Sequence, residues 1–268
     1  MGRQEYVDIF NDTMDMCRTD AELKSSLAKS LKGQYVLPES AGLSLNGTAK
    51  GKPAKVVVSA RRTFEAAEQY KDRRVCVLNF ASSKNPGGGV ERGASAQEEC
   101  LCRVSTLFLC LTEEEVFERF YEPHRSMFSD TLYNSDIIFT PGVTVFKSDT
   151  SMPAARPREE WFCTDVLTCA APNLSAYTRL DDVRLEKLHI ERGERIFLTA
   201  INEGAEVLIL GAFGCGAFRN PPAVVARAYR ALTERYAAYF DTIEYAVYCS
   251  PKNTANYDAF RDIITQGN

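Results

Sequence analysis

Two adjacent carboxylates, Glu98 and Glu99, follow Gln97 directly before an apolar pattern typical of a helix. A carboxylic acid can protonate a leaving oxygen, so this pair could take part in acid catalysis. Side chains at neighbouring helical positions diverge by about 100° around the axis, so the two carboxylates cannot flank one bond as a matched pair. If both act, they must have different tasks. The alternative interpretation, which composition alone favours, is that acidic residues in a first turn complement the helix dipole.

A glycine-rich loop precedes these carboxylates and follows a predicted strand at 75–79. Gly87, Gly88 and Gly89 are consecutive and are followed by Val90. Glycines permit positive φ and carry no Cβ, so their backbone amides can approach a ligand closely. A flexible turn is the alternative interpretation of this loop.

A second loop of small residues, 211–218, follows a predicted strand at 207–210 and precedes a helix entered through Pro221 and Pro222. Such a loop can form an amide nest at the positive end of a helix dipole, which suits phosphate. Two such loops at the C-terminal ends of strands predict a crevice for a phosphate-bearing nucleotide. Neither loop has G-x-G-x-x-G with its acidic ribose ligand, nor G-K-[ST], which argues against a dinucleotide-binding dehydrogenase and a P-loop ATPase.

Short apolar strands alternate with amphipathic helices along most of the chain, which predicts a layered α/β domain with a largely buried sheet. The segment 4–31 predicts two helices, with Thr19 or Asp20 available to cap the second. The glycine- and proline-rich segment 33–53 predicts turns around short extended pieces. Predicted strands cover 56–58, 75–78, 137–139, 143–146, 161–167, 207–210 and 243–249, and predicted helices cover 62–70, 96–111, 183–203, 222–238 and 254–265.

Length and charge limit the class of protein. The 268 residues fit one or two domains, and 45% hydrophobic residues supply ample core material. The 32 basic and 36 acidic side chains give a net charge of −4, so no global positive field would hold a nucleic acid by its phosphates. No apolar run reaches the length of about 20 residues that spans a bilayer, and the start lacks the apolar core of a signal peptide. A cytoplasmic protein without a membrane partner is expected.

The cysteine pattern argues against a disulfide framework and against zinc. Nine cysteines, an odd number, are scattered through apolar runs and are expected to be mostly reduced and buried. Cys100 and Cys102 lack the usual zinc spacing, and the histidines, His124 and His189, lie far from them in the sequence. No metal or other cofactor is therefore expected.

Gly-Gly-Gly, seven intervening residues and Gln-Glu-Glu together resemble the signature of the poly(ADP-ribose) glycohydrolase family. Residues 214–218 resemble the second phosphate loop of that family, and Ala171-Pro172-Asn173 resembles a segment of its microbial-type members. The resemblance covers most of residues 75–250, with a weaker similarity in the N-terminal helical region. It implies a macrodomain-like fold, a three-layer α/β/α sandwich with a mixed, mostly buried sheet. It also implies hydrolysis of the ribose–ribose O-glycosidic bonds of poly(ADP-ribose) from chain ends.

The same resemblance assigns the residues of the site. Glu99 would be the catalytic acid that protonates the leaving ribose oxygen, and Glu98 would orient the substrate through its ribose hydroxyls. Gln97 would hold the loop or the start of the helix in position. Phe218 would pack against the distal ribose, with packing of its own loop as the alternative, and Asn79 is a weaker candidate ligand. The loops would contribute Gly87, Gly88, Gly89 and Val90 around the distal ribose and phosphate, and Gly214, Cys215, Gly216 and Ala217 as amide donors to the diphosphate.

Residues 1–53 are expected to form an N-terminal helical extension packed on a catalytic domain at 54–268. The implied substrate is poly(ADP-ribose) or an ADP-ribosylated protein, the product is ADP-ribose, and sequence-specific nucleic acid binding is not expected. The implied biological role is reversal of ADP-ribosylation, as in a DNA damage response. Ala170 and the segment Arg219-Asn220-Pro221-Pro222 depart from the family pattern, which leaves substrate preference open.

Three rival functions remain open from the sequence. The chain could be a non-catalytic ADP-ribose reader, although a reader would not need the acid at Glu99. It could remove mono-ADP-ribose from proteins or nucleobases, or act on another nucleotide diphosphate.

Acid catalysis by Glu99 also has a condition: a helix N-terminus favours an ionised carboxylate, whereas a general acid at neutral pH must hold a proton. Burial of the carboxylate pair would have to outweigh the dipole.

Overall fold

The computed structural model describes residues 2–127, 130–175 and 180–266. Within these ranges seven strands form one mixed sheet in the order β1-β4-β5-β3-β6-β7-β2. The strands are β1 (Tyr35–Leu37), β2 (Lys55–Ser59), β3 (Val75–Phe80), β4 (Ile137–Val145), β5 (Phe162–Cys169), β6 (Val207–Leu210) and β7 (Thr242–Ala246). The strands from β5 to β2 are parallel, whereas β4 runs antiparallel to both β1 and β5.

Helices cover both faces of this sheet. They are α1 (Arg3–Thr19), α2 (Ala21–Gly33), α3 (Thr63–Glu68), α4 (Gln97–Val104), α5 (Leu107–Leu111), α6 (Glu114–Val116), α7 (Glu122–Ser126), α8 (Asp182–Asn202), α9 (Pro222–Tyr236) and α10 (Ala255–Ile264), and Phe117–Tyr121 form a π-helical turn. Short 3₁₀ turns lie at Val90–Arg92, Arg158–Glu160 and Ala237–Tyr239.

Alternate residues of the central strands enter two separate cores. Cys76 and Leu78 of β3 pack in one core with α8, α9 and α10, whereas Val75 and Val77 pack in the other with α1, α3, α4 and α5. Successive side chains of a strand point to opposite faces, so the apolar runs of this sheet are buried on both sides. The predicted three-layer α/β/α sandwich with a mixed, buried sheet is therefore confirmed.

Several boundaries agree with the sequence prediction and two do not. Asp20 caps α2 by accepting hydrogen bonds from the amides of Glu22 and Leu23 at 2.9 and 3.1 Å. The single predicted helix at 96–111 is wrong, because Ser105 has extended backbone angles and forms a β-bridge with Val145. This bridge divides the segment into α4 and α5.

The two strands predicted at 137–139 and 143–146 are also wrong, because they form the single strand β4. A shift in register between Thr140 and Val143 marks a bulge where β4 pairs with β5. A bulge inserts an extra residue without ending the strand, so the strand continues through Pro141 and Gly142. The helical turns at 114–126 were not predicted.

Across the described residues, no helix is long and apolar enough to cross a membrane. All nine cysteines are free, and those fully buried are Cys17, Cys76, Cys102, Cys110 and Cys169.

Candidate active site

A cavity of about 370 Å³ opens at the C-terminal ends of the parallel strands. Its wall includes Phe80 at the end of β3, Ala246 at the end of β7 and Ala212 just after β6. Open α/β sheets commonly bind ligands at this edge. Of the residues singled out from the sequence, the wall contains Gln97, Glu98, Glu99, Gly214, Gly216, Ala217 and Phe218.

Gln97 ties the start of α4 to β3. Its Oε1 accepts a hydrogen bond from the Phe80 amide at 2.9 Å, and its Nε2 donates to the Leu78 carbonyl at 2.8 Å and to the Thr63 hydroxyl at 3.0 Å. The N-cap residue, Ala96, makes no side-chain cap hydrogen bond, so α4 lacks the usual local support at its first turn. The Gln97 contacts supply tertiary support instead and fix how the two carboxylates leave the helix.

Both carboxylate oxygens of Glu98 have partners. Oε2 accepts a hydrogen bond from the Ser82 amide at 2.7 Å, and Oε1 accepts one from Nδ2 of Asn79 at 3.3 Å. Asn79 is fully buried and also donates to the Thr168 hydroxyl at 3.2 Å. Burial raises the pKa of Glu98 to about 8; the Ser82 hydrogen bond opposes this rise and the charge of Glu99 adds to it. At this carboxyl, the effect of burial outweighs that of the hydrogen bonds that favour the ionised form.

Glu99 has one bound oxygen and one free oxygen. Oε1 accepts a hydrogen bond from the Gly89 amide at 2.9 Å, while Oε2 is buried without a hydrogen-bond partner. Gly88, with φ of 61°, passes so close that a Cβ there would collide with Oε1 of Glu99 and lie 3.1 Å from Oε2 of Glu98. The first glycine loop therefore packs directly on the carboxylate pair.

Three residues of the loops, Val90, Cys215 and Gly87, have the side chain or the Cβ position directed toward protein atoms. The side chain of Val90 is buried in the core beneath the first loop. The Cys215 thiol lies 3.8 Å from the Phe213 carbonyl, and burial raises its pKa to about 12. A Cβ at Gly87 would lie 2.7 Å from the Phe108 ring. Any contact of these three residues with a ligand would therefore be made by the backbone.

The second loop is braced from behind by Asn220. Its buried Nδ2 donates to the carbonyls of Pro172 and Gly214 at 2.7 and 3.0 Å, and its Oδ1 lies 2.9 Å from Nε2 of His189. Gly214 has φ of 78°, whereas Gly216 faces open space, since a Cβ there would meet nothing within 4 Å. These hydrogen bonds of Asn220 were not predicted from the sequence, where Asn220 was noted only as part of a departure from the family pattern.

Phe218 both packs on protein and faces the cavity. Its half-buried ring lies 6.3 Å from the Tyr133 ring, measured between centroids, and it contributes to the cavity wall. Its carbonyl accepts a hydrogen bond from the Leu174 amide at 2.9 Å. The two interpretations of Phe218 are therefore compatible in this geometry.

The cavity wall also contains polar residues that the sequence did not single out, among them Arg62, Asp149, Tyr248 and Asn256. The Arg62 guanidinium lies 4.1 Å above the Tyr248 ring. Asp149 accepts a hydrogen bond from the Phe64 amide at 3.0 Å through Oδ2, its Oδ1 is buried without a partner, and burial raises its pKa to about 6. Arg62 and Tyr248 follow β2 and β7 within three residues, and their place at strand ends was the signal that could have identified them.

In the part of the chain that the structure describes, no group of three or more His, Cys, Asp or Glu side chains is arranged to hold a metal ion.

The raised pKa of Glu98 predicts a pH-dependent stability. Between its ordinary value of 4.5 and about 8, the folded protein keeps a proton that the unfolded chain has lost, so stability falls as pH rises. Asp149, with its pKa raised to about 6, titrates below this upper range, and the contribution of His189, whose pKa is lowered from 6.5 to about 4, is common to the parent and a Glu98 variant. Between pH 6.5 and 8 we expect the titration of Glu98 to lower the free energy of unfolding by about 1–2 kcal/mol. Urea denaturation of Glu98→Gln should show no such loss of stability between pH 6.5 and 8. An equal dependence of the unfolding free energy on pH in parent and variant would contradict the assignment.

Comparisons with known proteins point to one family. Residues 4–148 match the family model described as "Microbial-type PARG, catalytic domain". A crystal structure of poly(ADP-ribose) glycohydrolase (PARG) from Thermomonospora curvata is 29% identical, covers 97% of this chain and 99% of that chain, and has a TM-score of 0.85. The same protein bound to the inhibitor ADP-HPD has a TM-score of 0.83 at 29% identity, with 97% and 99% of the two chains covered. PARG from Deinococcus radiodurans in complex with ADP-ribose is 30% identical over 90% of this chain and 98% of that chain, with a TM-score of 0.78. Comparison with curated proteins gives no significant match.

Proposed function

Because this chain belongs to the microbial-type poly(ADP-ribose) glycohydrolase family and is a glycosidase, we propose that it hydrolyses poly(ADP-ribose) from chain ends, with Glu99 as the acid. The observation that carries the assignment of the acid is the buried, unpartnered Oε2 of Glu99 at the cavity wall. Both oxygens of Glu98 are already hydrogen-bonded. Of the two adjacent glutamates, Glu99 is therefore the one with an oxygen left to meet a leaving group.

The terminal ADP-ribose unit would lie with its distal ribose between the carboxylates and Phe218. Its diphosphate would bind at the second loop, where Gly216 leaves open space beside exposed backbone. The adenosine would then lie near Arg62 and Tyr248, which stack on each other at the cavity wall. The solved PARG complexes with ADP-ribose and with ADP-HPD support this choice of ligand.

The reaction needs one carboxyl acting twice. Glu99 gives its proton to the leaving 2′-oxygen of the next adenosine as the bond to the distal ribose breaks. The resulting oxocarbenium centre is stabilised by the substrate's own diphosphate. Water then adds to this centre and returns a proton to Glu99, which restores the acid. Glu98 orients the ribose hydroxyls in this scheme, and Asn79 holds Glu98.

Phe218 is proposed to fix the angle of the distal ribose. Phe218→Ala should lower kcat by about 10²-fold, because a reacting centre displaced by about 1 Å loses that much rate. Phe218→Leu is the matched control, because it keeps apolar bulk against Tyr133 and so preserves the packing of the loop. Steady-state kinetics and thermal melts of both variants check the prediction. A loss of melting temperature with unchanged kcat in Phe218→Ala would assign the ring to packing alone.

The preference for polymer is tested by comparing two substrates. Purified poly(ADP-ribose) and a protein carrying single ADP-ribose units are incubated with the enzyme under the same conditions. We expect release from the polymer, with the unit attached to protein left largely in place. Removal of single units at a rate that matches polymer degradation would favour a mono-ADP-ribosyl hydrolase instead.

A further inference from the structure

A buried arginine lies one helical turn after Glu99. Arg103 of α4 is fully buried, and its guanidinium donates from Nη2 to the Ala94 carbonyl and from Nε to the Tyr6 carbonyl at 3.3 Å. The guanidinium also lies 4.5 Å above the Tyr6 ring. Ala94 belongs to the turn between the first glycine loop and α4, whereas Tyr6 belongs to α1. One side chain thus joins the N-terminal helix to the turn that precedes the carboxylates.

Two further contacts fit α1 against the same region. The Thr13 hydroxyl donates to the Arg103 carbonyl at 2.6 Å. Gly93, with φ of 71°, passes so close to the Arg3 carbonyl that a Cβ at Gly93 would collide with it. The 90–96 segment therefore packs closely against α1.

The start of α4 lacks a local cap. Ala96 makes no side-chain cap hydrogen bond, and Gln97 ties the helix to β3 and to Thr63 of α3. The turn before the helix is tied through Ala94 to Arg103. A movement of this turn would shift the positions of both carboxylates.

We propose that Arg103 is a positioning residue for the carboxylate pair, and that α1 is its anchor. This inference rests on the roles proposed for Glu98 and Glu99. The planar guanidinium can donate to two carbonyls on different segments while stacking on a ring, a geometry that a lysine ammonium does not reproduce. Arg103 itself does not touch the substrate in this arrangement.

Lys147 provides a matched control. It is also buried and also anchors α1, since its Nζ donates to the Ile9 carbonyl at 3.1 Å and to Oδ2 of Asp12 at 2.6 Å. These contacts lie on a different part of α1 from Tyr6. Lys147→Met therefore loosens the same helix without removing the tie to Ala94.

The kinetic test compares Arg103→Met with Lys147→Met. Both should lower the melting temperature, but only Arg103→Met should lower kcat, by about 10²-fold, with KM within about threefold of the parent. Arg103→Lys, which keeps a buried cation, covers the case in which Arg103→Met does not fold, and its kcat should also fall. Equal kcat values in both methionine variants, once corrected for folded fraction, would overturn the inference.

A second readout does not depend on turnover. The amides of Ser82 and Gly89 donate to Glu98 and Glu99, so their hydrogen exchange reports where the carboxylates are. We expect exchange at both amides to be about tenfold faster in the Arg103 variants, which corresponds to about 1.4 kcal/mol, and unchanged in Lys147→Met. Unchanged protection in the Arg103 variants would refute the positioning role. If the parent released no ADP-ribose, the proposed function would fail, yet this exchange measurement would still decide the role of Arg103.

Discussion

Replacing Glu99 by glutamine is expected to lower kcat on poly(ADP-ribose) by about 10²–10⁴-fold, the range typical for loss of general acid catalysis. The amide keeps the size of the carboxyl and can still accept the hydrogen bond from the Gly89 amide. It cannot give a proton to the leaving oxygen. ADP-ribose affinity should therefore stay within a few-fold of the parent, because the loops that would hold the ligand are unchanged.

Glu91→Gln is the matched control for this variant. Glu91 is exposed on the short helical turn between the first glycine loop and α4, so the same chemical change is made nearby without touching the cavity. Single-turnover kinetics on polymer and calorimetry with ADP-ribose measure rate and affinity separately. Glu99→Gln turning over within a few-fold of Glu91→Gln would remove Glu99 from the mechanism.

Gly216→Val is expected to weaken ADP-ribose binding by about 10–100-fold. A Cβ at Gly216 meets no protein atom within 4 Å, so the fold should tolerate the change. The added methyl groups would fill the space in which the diphosphate must approach the backbone amides. Hydrogen bonds to charged groups contribute about 1.5–3 kcal/mol each, and losing one accounts for the expected loss of affinity.

Gly42→Val serves as the control, because Gly42 is exposed, has open space around its Cβ position and lies away from this cavity. Calorimetry with ADP-ribose compares the two. Equal affinity in Gly216→Val and Gly42→Val would mean that the second loop is only a turn. Gly88→Val is a less selective variant, since its side chain would collide with Glu99 and its φ of 61° disfavours valine.

The parts of the fold that could be predicted are those governed by local pattern. The apolar run at 207–210 became β6 with the predicted bounds, and Asp20 caps α2 as one of the two candidates. Prediction failed where a distant contact decided the outcome. The break at Ser105 depends on its bridge to Val145, forty residues later in the chain. No local pattern contains that information.

The site divides in the same way. The motif placed Gln97 and both glutamates on one cavity wall, but it did not indicate that Glu98 would be the carboxyl held by Asn79 and Ser82. Asp149 could not have been found, because it reaches the cavity from a loop after β4, an antiparallel strand. The contact between Arg103 and Tyr6 could not be predicted from local pattern either, since the two residues are 97 positions apart.

The central claim is that Glu99 and the two glycine loops form one glycosidase site that acts on poly(ADP-ribose). The most direct measurement is incubation of the purified protein with poly(ADP-ribose) in EDTA, followed by chromatographic analysis of the products. The account predicts free ADP-ribose released from chain ends, at the same rate with and without the chelator and not from Glu99→Gln. No release of ADP-ribose by the parent protein, or release that requires an added divalent metal, would contradict it.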